Sequence, residues 1–252
     1  HVMMDAVDQK VADLHTYSMS DKTADLYAFD SQFTGKSSAF KVTYEGKTYQ
    51  LETKLAGRFN IYNTLGAIGA ALSEGISMET IVAAMKTFHS VPGRFELIDE
   101  GQSFTVVVDY AHTPDGLEKI LTTAQEITKG RILVVFGCGG DRDKLKRPIM
   151  GRIAARYADV AIVTSDNPRT EDPETIVKEV AAGVEEVKAE KPSLQVEVVL
   201  DRRSAIQKAI SLAKGDDIVL IAGKGHEDYQ ILKDKTIHFD DREEARKALK
   251  QA

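Results

Sequence analysis

Cysteine is nearly missing from this chain. Cys138 is the one thiol in 252 residues, so no internal disulfide framework can form, and the composition fits a reducing, cytoplasmic setting. No apolar run approaches the roughly 20 residues that span a bilayer, and the stretch from His1 lacks the basic start and apolar core of a secretion signal. Positive charge is not in excess either. The 33 Lys and Arg against 39 Asp and Glu leave a net charge of -6, which gives no support to nucleic-acid binding, since that usually leaves a basic face. The six histidines show no metal-ligand spacing, so no metal site is expected. Internal repeats and low-complexity tracts are also missing. What remains, 42% hydrophobic and 29% charged, is ordinary globular composition with enough length for a real core. Neither nucleic acid nor membrane is expected as a partner; the chain is expected to be a monomer and its partners small molecules.

The chain has two textures. From 26 to 55 apolar and polar residues alternate, as in Ala39-Phe40-Lys41-Val42-Thr43-Tyr44, and Glu45-Gly46-Lys47 interrupts the pattern; this predicts a β-hairpin or small antiparallel sheet. Residues 60–73 and 78–88 carry helical spacing, with Gly75 as the stop between them. Ser90-Val91-Pro92-Gly93 then breaks regular structure, and a domain boundary is expected there, giving units 1–92 and 93–252. Beyond it, apolar runs at 106–108, 132–136, 160–164 and 218–222 read as buried strands. A helix is expected to start at Thr113-Pro114, with proline at its first position and its apolar face supplied by 117–127, and further helices at 150–157, 173–189, 203–213 and 241–249. Repeated strand–helix units predict an α/β, Rossmann-like domain with a mostly parallel sheet and right-handed crossovers.

Two tempting motifs fail. Gly35-Lys36-Ser37 looks like the end of a P-loop, but the earlier glycine position holds Asp30 and the flanks are strand-like, so an ordinary turn is expected. Gly137-Cys138-Gly139-Gly140 follows a strand as a dinucleotide fingerprint would, yet Arg142 replaces its third glycine. Cys138 has no visible histidine partner and reads as a buried thiol.

Each buried run ends in a polar cluster: Asp109-Tyr110-Ala111-His112, Gly140-Asp141-Arg142-Asp143, Asp166-Asn167-Pro168-Arg169 and Gly223-Lys224-Gly225-His226-Glu227. Ligands of open α/β sheets bind outside the carboxyl ends of the strands, so the four clusters are expected on one rim. Arg142 and Arg169 are forks for carboxylate that stay charged at any relevant pH. Glycines around Arg142 would let a ligand approach, and Pro168 stiffens the loop before Arg169. Glu227 could accept from an ammonium, with Gly223 leaving room for it. Each alone has a plain alternative: a solvated arginine among Lys144, Lys146 and Arg147, or a surface turn capped by Asp166. Asp109 could accept from hydroxyls while Tyr110 or His112 lies against a flat ring, or the group could be a satisfied buried network. Asn60 and Asn63, three apart on one helix face, carry amides that suit an adenine edge, or are simply helix surface.

These clusters, with Gly57-Arg58-Phe59-Asn60-Ile61-Tyr62-Asn63 and Pro92-Gly93-Arg94-Phe95-Glu96, follow in the order seen in the Mur ligase family, and the chain resembles its diaminopimelate-adding branch most closely. The resemblance covers essentially the whole chain. It implies that residues 1–92 are the latter part of the family's central, ATP-binding domain and 93–252 its C-terminal, amino-acid-binding domain. It implies an ATP- and Mg2+-dependent ligase that joins meso-diaminopimelate to UDP-N-acetylmuramoyl-L-alanyl-D-glutamate through an acyl phosphate in cytoplasmic peptidoglycan synthesis. Asp166, Asn167, Pro168 and Arg169 resemble the diaminopimelate-recognition motif, and Arg142, Gly223 and Glu227 would complete that site. Asn60, Arg94 and Asp109 match family positions that hold adenine, ribose or phosphate, and Asn63, Tyr110 and His112 join them as nucleotide-binding candidates by their side-chain chemistry alone. The family's P-loop, carbamylated lysine, metal ligands and uridine-nucleotide domain correspond to sequence upstream of His1. The chain is therefore expected to be a piece of a longer ligase, inactive by itself, with no catalytic residue and no tightly held cofactor of its own. A folylpolyglutamate-synthase-like ligase and a non-catalytic amino-acid-binding module are the alternatives.

Overall fold

The computed structural model describes residues 14–34, 37–88 and 91–251. They fall into two compact units, His1–His89 and Ser90–Ala252. The turn expected at Gly35-Lys36-Ser37 lies partly outside the described residues.

In the first unit the alternating segment forms β2 (Leu26–Phe33), β3 (Ser38–Tyr44) and β4 (Lys47–Thr53), paired antiparallel in that order, while the short β1 (Tyr17–Ser18) adds parallel to β2. Glu45 and Gly46 both take positive φ, 47° and 73°, the geometry of the tight hairpin turn that matches strand twist. Leu26, Ala28, Phe40, Val42 and Leu51 occupy the buried face, against Ile61, Leu65 and Ile68 of α1 (Arg58–Ser73) and Met78 and Ile81 of α2 (Met78–Thr87). The stop expected at Gly75 is there: Gly75 N–H donates to Leu72 O and Ile76 N–H to Ala71 O, a Schellman close.

In the second unit six strands pair in the order β5-β6-β10-β7-β8-β9. β6 (Thr105–Asp109), β10 (Ile218–Ala222), β7 (Ile132–Phe136), β8 (Val160–Val163) and β9 (Gln195–Val198) are parallel, and β5 (Glu96–Leu97) is antiparallel to β6. Every residue of β7, β8 and β10 is buried, which is why these strands read as continuous apolar runs. The connecting helices are α3 (Pro114–Ile127), α4 (Lys146–Tyr157), α5 (Pro173–Lys188) and α6 (Arg202–Leu212). Three begin on side-chain caps: Thr113, Asp172 and Asp201 accept from backbone N–H groups of the first turn.

The sequence pattern departs from the structure at α4, at β9 and after β10, and it does not announce the two-residue strands β1 and β5. α4 begins at Lys146, a full turn before the expected 150, because the basic residues Lys146 and Arg147 hide its start. β9 carries no apolar run, being a partly exposed edge strand. After β10 the chain does not enter a helix directly but forms a hairpin, β11 (Tyr229–Ile231) with β12 (Thr236–His238), before α7 (Asp241–Leu249).

Candidate functional site

The last parallel strand, β10, lies between the first two, β6 and β7, with β8 next. The four polar clusters therefore leave adjacent strands at the same end. They enclose a cavity of about 620 Å3 lined by Arg142, Asp166, Asn167, Arg169, Gly223 and Glu227, with Tyr110 and His112 from the β6 end. The three residues farthest apart in sequence on which a zwitterion site depends, Arg142, Arg169 and Glu227, thus share one cavity.

The loops after β7 and β8 are laced together. Gly140 N–H donates to Asn167 O at 2.9 Å, and Arg169 Nη1 donates to Gly140 O at 2.9 Å. Asp141 accepts from the backbone and hydroxyl of Thr170, at 3.2 and 2.7 Å, and its own N–H donates to Glu171 Oε1 at 2.6 Å. Glu171 is in turn held by Arg147, whose Nη2 lies 2.9 Å from Oε1 and whose Nη1 lies 3.1 Å from Oε2. The hydrogen bond from Arg147, then that from Asp141, hold the Glu171 carboxyl down at about 2. A Cβ on Gly140 would stand 2.0 Å from Pro168 O. Gly140 thus makes room for the neighbouring loop, while Gly139 of the same run lines the cavity.

Arg169 sits in the left-handed region at φ 52°, uncommon for a residue with a Cβ. Its N–H donates to Ile231 O at 3.1 Å. The guanidinium spends Nη1 on Gly140 O, and among the described residues Nε and Nη2 have no protein partner. Arg142 is exposed and spends only Nη1, on Asp141 O at 2.9 Å. Asp166 does not cap the turn. It is buried, 7% exposed, and among the described residues its carboxylate accepts no hydrogen bond. Gly223, at φ 123°, lies against it: a Cβ there would stand 2.7 Å from Asp166 Oδ2. The room at Gly223 is thus filled by a carboxylate that itself lines the cavity.

Between the loops after β8 and β10, Asn167 Nδ2 donates to Glu227 Oε2 at 3.0 Å, and Asn167 Oδ1 accepts from Ile231 N–H at 2.9 Å. Lys224, fully buried, donates to Asn167 Oδ1 at 3.2 Å and Glu227 Oε2 at 3.3 Å. Glu227 Oε1 has no partner among the described residues.

At the β6 end, Asp109 accepts from Phe95 N–H and Ala111 N–H, both at 2.7 Å. Burial pushes its carboxyl up, against those two bonds. It is a satisfied buried clamp and does not line the cavity. Tyr110 does: its ring meets His112 at 4.6 Å and His226 at 5.1 Å between centroids, and the exposed Arg94 guanidinium stands 4.9 Å from its centroid. Asn60 and Asn63 belong to the first unit. Asn60 is buried and donates to Ala56 O at 2.8 Å, and Asn63 donates to Asn60 Oδ1 at 3.2 Å, so the helix-surface description fails for Asn60 and its amide serves local structure. Cys138 is buried beside Met150 Sδ, and burial pushes its thiol up to about 12. Lys146, whose Nζ donates to His112 O at 2.8 Å, and Tyr229 also line the cavity. Sequence reasoning left both aside, although Tyr229 lies two residues beyond the last polar cluster.

Chemically, the cavity offers unused guanidinium N–H groups on one side and an unpaired carboxylate on the other. That suits a ligand bearing carboxylate and ammonium together. Against known proteins, the family described as Mur ligase, glutamate ligase domain, matches residues 93–225, and Mur ligase middle domain matches residues 1–71. The chain belongs to the Mur ligase family. It is 49% identical over 238 residues to a UDP-N-acetylmuramoyl-L-alanyl-D-glutamate--2,6-diaminopimelate ligase of Clostridium botulinum (strain ATCC 19397 / Type A), covering 94% of this chain and 48% of the relative. A solved structure bearing the same enzyme name matches at TM-score 0.71 and 36% identity, over 99% of this chain and 51% of that one. The folylpolyglutamate synthase of Thermotoga maritima matches at TM-score 0.64 and 21% identity, over 88% of this chain and 48% of that one, a likeness of fold alone. The chain spans about half the length of the curated relatives it matches.

Proposed function

We propose that this chain is the diaminopimelate-binding part of an ATP-dependent ligase that joins meso-diaminopimelate to the D-glutamyl carboxylate of UDP-N-acetylmuramoyl-L-alanyl-D-glutamate in cytoplasmic peptidoglycan synthesis. The observation that carries this reading is the meeting of Arg142, Arg169, Asp166 and Glu227 in one cavity. Diaminopimelate has an amino-carboxylate at each end. Arg169, with Nε and Nη2 unspent, and Arg142 suit its carboxylates, and the Asp166 carboxylate and Glu227 Oε1 suit an ammonium. Lysine lacks the distal carboxylate and would leave a guanidinium unpaired, which is the stronger form of discrimination.

Tyr110, between Arg94 and two histidines, has the chemistry to lie against a nucleotide ring. When bound, ATP supplies the phosphoryl group that turns the acceptor carboxylate into an acyl phosphate. The part of this chain is to hold the incoming amine donor. Among the described residues no group of three His, Cys, Asp or Glu side chains is placed to hold a metal.

Calorimetry with meso-diaminopimelate and L-lysine, on the wild-type chain and on Arg169→Ala, tests the reading. The wild type should prefer diaminopimelate by at least about tenfold, the scale of one lost charged hydrogen bond, and Arg169→Ala should lose that preference. Equal affinity of the wild type for both amino acids would remove the assignment.

A further inference from the structure

Lys224 is the one member of the Gly223-Lys224-Gly225-His226-Glu227 cluster whose side chain is wholly withdrawn from solvent, and it does not line the cavity. A lysine without exposure is rare, because taking an ammonium out of water costs several kcal/mol unless its hydrogens are met. All three directions are met here. Nζ stands 3.2 Å from Asn167 Oδ1, 3.3 Å from Glu227 Oε2 and 5.4 Å from the centroid of the Tyr229 ring. Two of these partners, and the Tyr229 ring, line the cavity; Nζ itself does not.

The hydrogen bonds form a closed set with one solution. Ile231 N–H and Lys224 Nζ are both donors and both point at Asn167 Oδ1, so the amide cannot be reversed. Nδ2 must then face Glu227, where it donates to Oε2. Oε2 receives Asn167 and Lys224 together, which leaves Oε1 as the oxygen presented to the cavity. Remove the ammonium and Asn167 keeps one acceptor bond instead of two, while Glu227 loses its counter-charge in a half-buried place. Its carboxylate is then free to rotate toward solvent or toward Arg169.

We infer that Lys224 is a positioning residue for the amino-acid site: its buried ammonium fixes the Asn167 amide and turns Glu227 so that a single carboxylate oxygen faces the ligand's ammonium. The ligand side of this inference rests on the diaminopimelate reading of the cavity; the internal geometry does not.

The test uses the whole chain, labelled with nitrogen-15, as wild type, Lys224→Met, Glu227→Gln and the double variant. The first readout needs no ligand. The Asn167 side-chain amide resonances, identified by their loss in Asn167→Asp, should shift and broaden in Lys224→Met; unchanged resonances overturn the inference. Should Lys224→Met alone fail to fold, the double variant is compared with Glu227→Gln. A shifted Asn167 amide supports the inference there, and an identical one overturns it. The second readout is calorimetry with meso-diaminopimelate. Lys224→Met should weaken binding by about tenfold, and the double variant should bind no more weakly than Glu227→Gln, as expected for residues acting as a pair. Penalties that simply add overturn it. If the wild type does not bind diaminopimelate at all, the substrate assignment falls, while the amide resonances still decide the role of Lys224.

Discussion

Arg202 and Asp241 form an ion pair with neither side chain exposed: Nε lies 2.8 Å from Oδ1 and Nη2 lies 2.7 Å from Oδ2. The same guanidinium donates to Ala222 O at 3.0 Å and, more loosely, to Ser165 O at 3.5 Å. These carbonyls sit just before Gly223 and Asp166, so one buried cation braces the two loops that carry Asp166 and Glu227. Breaking one partner of such a pair strands the other charge in a poor solvent, whereas replacing both with apolar groups is often neutral. Arg202→Met is therefore expected to cost about 3–5 kcal/mol, and Arg202→Met/Asp241→Leu to recover to within about 1 kcal/mol of the wild type. Urea unfolding followed by circular dichroism measures both. A double variant as unstable as the single would mean that the pair's value lies in the braced carbonyls and not in charge balance.

The Glu171 carboxyl, held at about 2 against an ordinary 4.5 by Arg147 and the Asp141 N–H, ties stability to pH. A carboxyl whose folded value is depressed binds its proton more readily when unfolded. Its contribution is complete above the unfolded value and is lost as pH falls through the folded one. The thermal midpoint should therefore drop from just above pH 4.5 toward pH 2, the interval set by those two values. Glu171→Gln should start lower and show a shallower fall across the same interval. Parallel curves for the two proteins would show that other carboxylates govern the acid limb.

Much of this architecture is legible in the sequence because buried parallel strands are continuous apolar runs and because Thr113-Pro114 announces a helix. The rule that ligands gather at strand carboxyl ends places four clusters distant in sequence on one rim. What stayed hidden has a common cause. Lys224, Arg147 and Arg202 are charged, and a charged residue reads as surface, yet all three are fully buried organisers of the loops. β9 was illegible because its edge position leaves it partly polar, and the β11–β12 hairpin because its strands are three residues each. Asn60 and Asn63 share the helix face that their spacing predicts, but Asn60 spends its amide on Ala56 O, a partner that helical spacing does not reveal.

Arg169 combines a backbone conformation that resists a Cβ with a side chain that lines the cavity. At φ 52° an L residue carries a penalty of roughly 1–2 kcal/mol that glycine escapes. Arg169→Ala keeps this penalty and loses the hydrogen bond to Gly140 O, whereas Arg169→Gly loses the bond but relieves the backbone. Glycine also gains freedom in the unfolded chain, worth roughly 0.5–1 kcal/mol in the opposite direction. The glycine variant should therefore be more stable than the alanine variant by about 1 kcal/mol or a little less. Both should bind diaminopimelate at least about tenfold more weakly than the wild type, since both lack the fork. Chemical unfolding and calorimetry on the same three proteins separate the two effects. If the alanine variant were the more stable, the left-handed turn would be relaxed in solution. If either variant kept full affinity, the guanidinium would have no part in holding the ligand.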